Sequence, residues 1–152
     1  MGRRERLRSV DGGVRRRDSR GEPVANGGNV ERALDRAVHA SAARYDGEYA
    51  WDERAAAVDA FNETFDGYVD GIESSRVERG VVYWVTANAT AGTQWAETNC
   101  PRGPNREFGP CESVGDIVVQ ERAGDAVVVA VSLDVRVTTD CGRIEMTRVV
   151  TV

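Results

Sequence analysis

Hydrophobic residues follow two different periods along the chain, and the change between them divides the sequence into two halves. From residue 29 to about residue 74 they recur every three or four positions, which is typical of amphipathic helices. From about residue 80 onward they alternate with polar residues, which is typical of strands with one buried face. We therefore expect an α+β domain in which helices precede an antiparallel sheet.

The first half contains two predicted helices. One covers about 30–45 and begins after Asn29, a residue type that caps helices well, and the other covers about 52–74. Phe61 and Phe65 are one turn apart, so we expect them to anchor the second helix on the sheet. An aromatic cluster lies between the helices and consists of Tyr45, Tyr49 and Trp51. We expect this cluster to cover the end of the core rather than to bind a ligand.

The second half contains four predicted strands, over about 80–90, 117–121, 126–138 and 144–152. The third is the clearest, because an apolar residue occupies every second position from Val127 to Val137 and polar residues such as Asp134 and Arg136 separate them. Such alternation indicates a sheet with one buried and one wet face. We expect two N-terminal helices packed on a four-stranded antiparallel meander, with residues 91–112 inserted between strands 1 and 2.

Residues 1–28 differ in composition from the rest of the chain. Eight arginines against three acidic residues give residues 1–20 a charge of +5, with few apolar groups between them. Such a segment cannot bury enough surface to offset its ordering entropy, so we expect a disordered tail over 1–28 and a single domain over 29–152. Three explanations of the tail are open: a solvated arm, the product of an incorrect gene start, and a basic arm that binds nucleic acid or an anionic surface. We favour the solvated arm and the incorrect gene start over the binding arm.

The remaining body is acidic and contains no lysine. Residues 21–152 hold twelve arginines against 22 acidic residues, and the whole chain carries a net charge of −5. A nucleic-acid-binding domain needs a positive face, so this balance argues against one. An acidic, lysine-free chain from a GC-rich genome fits a haloarchaeal protein, because at 1 M salt a Debye length of about 3 Å screens repulsion between carboxylates. An actinobacterial origin is the alternative.

Cys100 and Cys111 enclose a segment that contains three of the chain's four prolines. A disulfide, half of a metal site and two free thiols are the alternatives, and a metal site would need Cys141 and His39 to converge from distant elements. We expect the disulfide, which would contribute about 3 kcal/mol in the chain-entropy model and indicate an oxidising compartment. Cys141 would then be a free thiol or the route to a disulfide-linked dimer.

Two tripeptides match the N-glycosylation acceptor pattern, with Asn62 and Asn88 as the acceptors. Both agree with the disulfide in predicting an extracytoplasmic location at the cell surface. The chain has no run of about 18 apolar residues, and no apolar segment follows the N-terminal arginines. Neither a membrane span nor a signal peptide is therefore recognisable.

Signatures of catalysis are scarce. The lone histidine, His39, has no evident partner for general-base catalysis. A set of carboxylates lies along the second helix and consists of Asp59, Glu63, Asp66, Asp70 and Glu73. Paired carboxylates hydrolyse glycosides, but a solvated acidic face is the far commoner explanation. We expect no enzyme activity, cofactor, metal or small-molecule ligand.

Several stretches resemble an uncharacterised family of haloarchaeal proteins, namely residues 30–38, 49–51, 54–58, 95–96, 99–111 and 118–124. The most specific is the Cys-Pro-x-Gly-Pro…Phe-Gly-Pro-Cys segment, and the similarity covers about 22–152. Members of that family begin with a pilin-like hydrophobic helix that anchors an extracytoplasmic domain, and they have no assigned activity. The resemblance therefore implies a surface location. Here the Arg-rich residues 1–20 stand in place of the anchor, so we expect a soluble paralogue or, preferably, a start in the wrong reading frame.

Three hypotheses about function follow. The first is a non-enzymatic module of the archaeal cell envelope, pilin-like or accessory, whose partners are other envelope proteins or copies of itself. The second is a soluble binding protein that uses the Arg-rich arm on nucleic acid or acidic partners. The third is an unrecognised hydrolase, which requires a cleft lined by two helix carboxylates with at least one strongly shifted pKa.

Overall fold

A computed structural model describes residues 22–75, 80–102 and 108–152, with the backbone alone for residues 22–29 and Ser75. The elements are α1 (Glu22–Arg44), a 3₁₀ turn (Trp51–Glu53), α2 (Arg54–Ser75), β1 (Val82–Ala87), α3 (Ala89–Asn99), β2 (Phe108–Val114), β3 (Ile117–Arg122), β4 (Asp125–Thr139) and β5 (Gly142–Thr151). The predicted α+β class, with helices followed by an antiparallel sheet, is confirmed.

The 15-residue strand β4 organises the sheet because it pairs with three other strands. β5 runs antiparallel along one edge of β4. Along the other edge, β3 pairs with residues 125–131 and β1 pairs with residues 133–138, so these two strands lie end to end. β2 extends the sheet beyond β3. Strands β2 to β5 thus form a meander, whereas β1 joins β4 rather than the strand that follows it in sequence.

Helix α3 explains why β1 departs from the predicted meander. Most of it lies within residues 91–112, which we predicted as an insert between strands 1 and 2, with no helix assigned there. Asn88 caps the helix, and its side-chain Oδ1 accepts a hydrogen bond from the Ala91 N–H at 2.9 Å. The chain leaves β1, passes through α3 on the sheet surface and re-enters the sheet on the same side of β4, as β2 beyond β3.

Helices α1 and α2 cover one face of the sheet, which we call the inner face, and α3 covers part of the opposite, outer face. Phe61 and Phe65 of α2 are buried in the inner core, and their stacked rings have centroids 5.5 Å apart. The prediction that this pair anchors α2 on the sheet is confirmed. Their buried neighbours in the same cluster include Leu34, Val38, Ile117, Val131 and Val135.

The connection between α1 and α2 is fixed on the start of β4. The Trp51 N–H donates to the Gly124 carbonyl at 2.8 Å, and the Ala126 N–H donates to the Tyr49 carbonyl at 2.9 Å. The Trp51 side chain packs against the inner core, as we predicted for the aromatic cluster. The rings of Tyr45 and Tyr49 lie 6.3 Å apart.

A β-bulge changes which face of the sheet the first valines of β4 occupy. The pairing with β3 shifts between Val118↔Ala130 and Val119↔Val128, so Val129 is the extra residue. Val129 and Val127 therefore belong to the outer cluster beneath α3, whereas Val131 and the alternate residues after it belong to the inner core. The prediction of one apolar face from Val127 to Val137 is wrong for these first two positions, because a one-residue insertion reverses the facing of a strand.

Helix α1 begins at Glu22, earlier than the predicted cap Asn29. Residues 22–28, which we assigned to the tail, are thus helical in their backbone. Pro23 is compatible with this start, because the N–H groups of the first turn have no partner within the helix. The rest of the predicted tail, residues 1–21, lies outside the described residues, as does the Arg-rich arm of the second hypothesis.

Candidate functional site

A disulfide joins Cys100, which follows α3, to Cys111 of β2, with their Cα atoms 5.9 Å apart. The predicted pairing is confirmed. The intervening residues 103–107 lie outside the described part of the chain. We call the two described parts, residues 100–102 and 108–111, the disulfide-closed segment; the first follows α3, and the second belongs to β2, which pairs with β3.

Gln120 of β3 holds both ends of this segment. Its side chain is fully buried, and its Nε2 donates to the Pro101 carbonyl at 2.8 Å and to the Gly109 carbonyl at 2.9 Å. Its Oε1 accepts from Nε of Arg122 at 2.9 Å, and the Arg122 guanidinium lies 4.0 Å from the centroid of the Phe108 ring. A buried amide needs such partners, so Gln120 fixes the segment to the sheet.

The remaining candidates for chemistry do not converge. Cys141 is an exposed free thiol in the turn between β4 and β5. His39 is exposed on α1, and its Nδ1 lies 2.7 Å from the Asp35 carbonyl oxygen one turn earlier. Within residues 22–75, 80–102 and 108–152, no group of three or more His, Cys, Asp or Glu side chains is placed to hold a metal ion.

The two predicted glycosylation acceptors occupy different environments. Asn62 is half-buried on α2. Asn88 is the cap of α3 rather than a strand residue, and its Nδ2 also donates to Oδ1 of Asp134 at 2.9 Å. Glycosylation at either position stays a prediction, and at Asn88 it would have to accommodate a side chain already engaged at both of its polar atoms.

A recess of about 250 Å³ between α2, β1 and the β2–β3 turn contains two carboxylates, those of Asp66 and Asp116. Burial raises the pKa of the Asp116 carboxyl, a backbone hydrogen bond opposes this increase, and the negative charge of Asp66 adds to it. In this recess a helix carboxylate shares a concave site with an acid from outside the helix. Asp70 and Glu73 line a different recess, and the Glu73 Oε2 accepts a hydrogen bond from the Val85 N–H at 3.0 Å.

Sequence reasoning missed a recess on the outer face, at the end of the sheet beyond α3. This outer-face recess has a volume of about 370 Å³, and its polar and aromatic lining residues are Trp84, Thr86, Asp134, Arg136, Glu145 and Thr147. The site is formed by three strands, because Trp84 pairs with Arg136 and Arg136 pairs with Glu145 across neighbouring strands. The signal in the sequence is Trp84 itself, an aromatic residue between the inward-facing Tyr83 and Val85.

Hydrogen bonds and ion pairs fix the polar groups of this recess. The Asp134 Oδ1 accepts from Nδ2 of Asn88 at 2.9 Å and from Oγ1 of Thr147 at 2.8 Å. The Glu145 Oε2 pairs with Nε of Arg136 at 3.3 Å and with Nε of Arg143 at 3.0 Å. The Arg136 guanidinium lies 5.6 Å from the centroid of the Trp84 ring, within the range of a cation–π interaction.

The fold and these features define an α+β module whose sheet carries a disulfide-closed segment over one end of its outer face. The chain belongs to DUF7261, a family of unknown function, whose profile matches residues 11–151. No curated protein and no solved structure matches the chain. Across the helices that the structure describes, none combines the length and apolar character needed to cross a bilayer.

Proposed function

We propose that this protein is a non-enzymatic module of the archaeal cell envelope, either pilin-like or an accessory surface protein. Its partners would be other envelope proteins or further copies of itself. The observation that carries the proposal is the disulfide between Cys100 and Cys111. Stable disulfides are typical of proteins outside the cytoplasm, where thiols are not kept reduced.

The surroundings of the disulfide support a structural rather than a redox-active role. Gln120 bonds to carbonyls on both sides of the cross-link, and the Arg122 guanidinium packs over Phe108 next to it. These contacts tie the cross-linked ends to the sheet independently of the sulfur atoms. A cross-link between residues that are already held on the sheet stabilises the fold, by about 3 kcal/mol in the chain-entropy model.

The architecture supports the pilin-like form of the proposal by analogy. A long N-terminal helix, α1, packs on an antiparallel sheet, and a disulfide-closed segment lies on that sheet. Type IV pilins share this outline. Fold-level analogy does not define function, so the location of the protein is the property to measure.

The test is thiol accessibility and location in cells of the native host. Proteins are denatured in acid to block thiol exchange, alkylated with a mass-tagged maleimide before or after reduction, and probed after separation of envelope and cytosol. We expect one tagged thiol without reductant, three after reduction, and recovery with the envelope. A Cys141→Ser variant should show none before reduction. Three tagged thiols without reduction, in a cytosolic protein, would refute the proposal.

A hydrolase is the second candidate, and the recess that holds Asp66 and Asp116 favours it. A carboxyl group with a raised pKa close to a second acid is the arrangement used in general acid catalysis by glycosidases. The test is hydrolysis of nitrophenyl glycosides by the purified protein. A hydrolase at this site would lose its activity in both Asp66→Asn and Asp116→Asn, while Asp59→Asn on the exposed surface of α2 would retain it.

A further inference from the structure

We propose that the outer-face recess binds a neutral sugar ring of a glycan, with Trp84 as its aromatic platform. The inference deepens the proposed function, on which it rests for a setting in which surface glycans surround the protein. It assigns a ligand class to a site that the sequence analysis did not find.

Trp84 differs from the other two tryptophans in its exposure. Its side chain is 46% exposed, whereas Trp51 packs against the inner core and Trp95 of α3 packs against the outer cluster. Trp84 lines both the outer-face recess and a second recess at the edge of β1. A flat aromatic surface of this kind matches the C–H face of a pyranose, which is apolar while its rim carries hydroxyl groups.

The polar groups around Trp84 suit the hydroxyl rim of such a ring. The Asp134 and Glu145 carboxylates each receive their hydrogen bonds or ion pairs from the described residues at one oxygen, Oδ1 and Oε2 respectively. The opposite oxygens can accept hydrogen bonds from sugar hydroxyls. Since the existing partners already fix the orientation of both carboxylates, little side-chain freedom is lost on binding.

The charge and size of the recess select the ligand class. Asp134 and Glu145 are balanced by Arg136 and by the adjacent Arg143, so the site has no net charge. A nucleic acid or a sulfated or phosphorylated polymer would require a positive site. A volume of about 370 Å³ lies at the lower end of the 300–1,000 Å³ range of ligand sites, which suits one or two sugar rings.

The experiment is an NMR titration of the purified protein with neutral trisaccharides of glucose, galactose, mannose and N-acetylglucosamine. The readout is the indole N–H signal of Trp84, assigned by its loss in Trp84→Phe. We expect saturable shifts with at least one sugar and about tenfold weaker binding for Trp84→Ala, because the loss of about 1.4 kcal/mol of stacking on an aromatic ring is a factor of ten in affinity. Trp84→Phe should retain most of the affinity, and both variants, which lack the indole signal, are measured through backbone signals of β4.

The matched control is Tyr68→Ala, because Tyr68 is an equally exposed aromatic residue, 47% exposed, on α2. It should bind as the parent does. Asp134→Asn should weaken binding, whereas a change from low to high NaCl should alter the affinity less than about twofold, since neither the sugar nor the recess carries net charge.

Several outcomes would overturn the inference. They are no shift with any of the four sugars, equal weakening by Tyr68→Ala and Trp84→Ala, or loss of binding in high salt. A dimer in sedimentation that Trp84→Ala dissociates, with no sugar bound, would instead make this face an interface between two copies. Sugar binding and cellular location are measured separately, so the failure of either leaves the result of the other standing.

Discussion

The outer face of the sheet has two ends, and polar side chains are buried at one end and exposed at the other. At the end beneath α3 and the disulfide-closed segment, Gln120 is fully buried and all of its partners belong to the protein. At the open end, Asp134 and Trp84 are exposed, and only part of their surface is used within the fold. The same strand, β4, runs beneath both ends. What covers the sheet, rather than the strand itself, therefore decides whether a polar residue stabilises the fold or remains available to a ligand.

The covered end should lose the most stability when its cross-link is removed. Replacing both cysteines in Cys100→Ser/Cys111→Ser should lower the free energy of unfolding by about 3 kcal/mol, because the unfolded chain regains the entropy of the closed loop. Chemical denaturation measures the loss. Cys141→Ser is the control and should change stability by less than about 0.5 kcal/mol, since that thiol is exposed and unpaired in the described structure. Equal losses in the two variants would contradict the distinction between the cysteines.

Removal of the buried amide tests whether Gln120 holds the covered end independently of the disulfide. Gln120→Ala leaves the Pro101 and Gly109 carbonyls without this donor and should cost about 2 kcal/mol. Hydrogen exchange should show faster opening of β2 and of the end of α3. The comparison is Gln94→Ala on α3, which should leave exchange in β2 unchanged. If Gln120→Ala has the stability of the parent, the covered end is held by other contacts.

A smaller and pH-dependent effect is expected at Asp116, in the β2–β3 turn. The pKa of the Asp116 carboxyl is raised in the folded protein above the unfolded value near 3.8. The free energy of unfolding therefore falls as the pH rises between these two values, and it stays lower above them. Asp116→Asn should therefore stabilise the protein at neutral pH and have little effect below pH 3.8. Thermal unfolding from acid to neutral pH measures the difference. Asp59→Asn, at an exposed position, should show no such pH profile, and a stabilisation of Asp116→Asn that is constant with pH would contradict this cause.

The smallest effect on stability is expected at the open end. Trp84→Ala removes a half-exposed side chain that contacts Arg136, and should change the free energy of unfolding by no more than about 1 kcal/mol. The same replacement at Phe61, which is buried, should cost about 3–5 kcal/mol and provides the comparison for an inward aromatic residue. A loss at Trp84 as large as that at Phe61 would assign the indole to the core and remove the contrast between the two ends.

The sequence predicted those features that depend on local pattern. The helix-then-strand order follows from the change of hydrophobic period, the anchor role of Phe61 and Phe65 follows from their spacing, and the disulfide follows from two cysteines around a proline-rich segment. Helix α3 was missed because its residues show little apolar periodicity, and its strongest local mark is the cap Asn88. Sequence reasoning thus recovered the fold class where each decision needed only neighbouring residues.

The features that sequence reasoning missed depend on pairing between distant residues. The facing of Val127 and Val129 is set by a bulge that exists only in the register between β3 and β4. The role of Gln120 depends on which loop covers β3. Likewise, the outer-face recess requires Trp84, Arg136 and Glu145 to lie side by side on three strands. None of these arrangements is encoded by a local period.

The position of β1 has a consequence for the order in which the chain folds. Val82 pairs with Thr138, so β1 cannot form its ladder until the far end of β4 is present. During synthesis the apolar stripes of α1 and α2 would therefore remain without their sheet until most of the chain has emerged. Because the hairpins between β3, β4 and β5 join neighbouring segments, we expect them to close before the helical half docks on the sheet through contacts between distant residues. Folding of the N-terminal half is thus governed by the arrival of β4, a strand from the last third of the sequence.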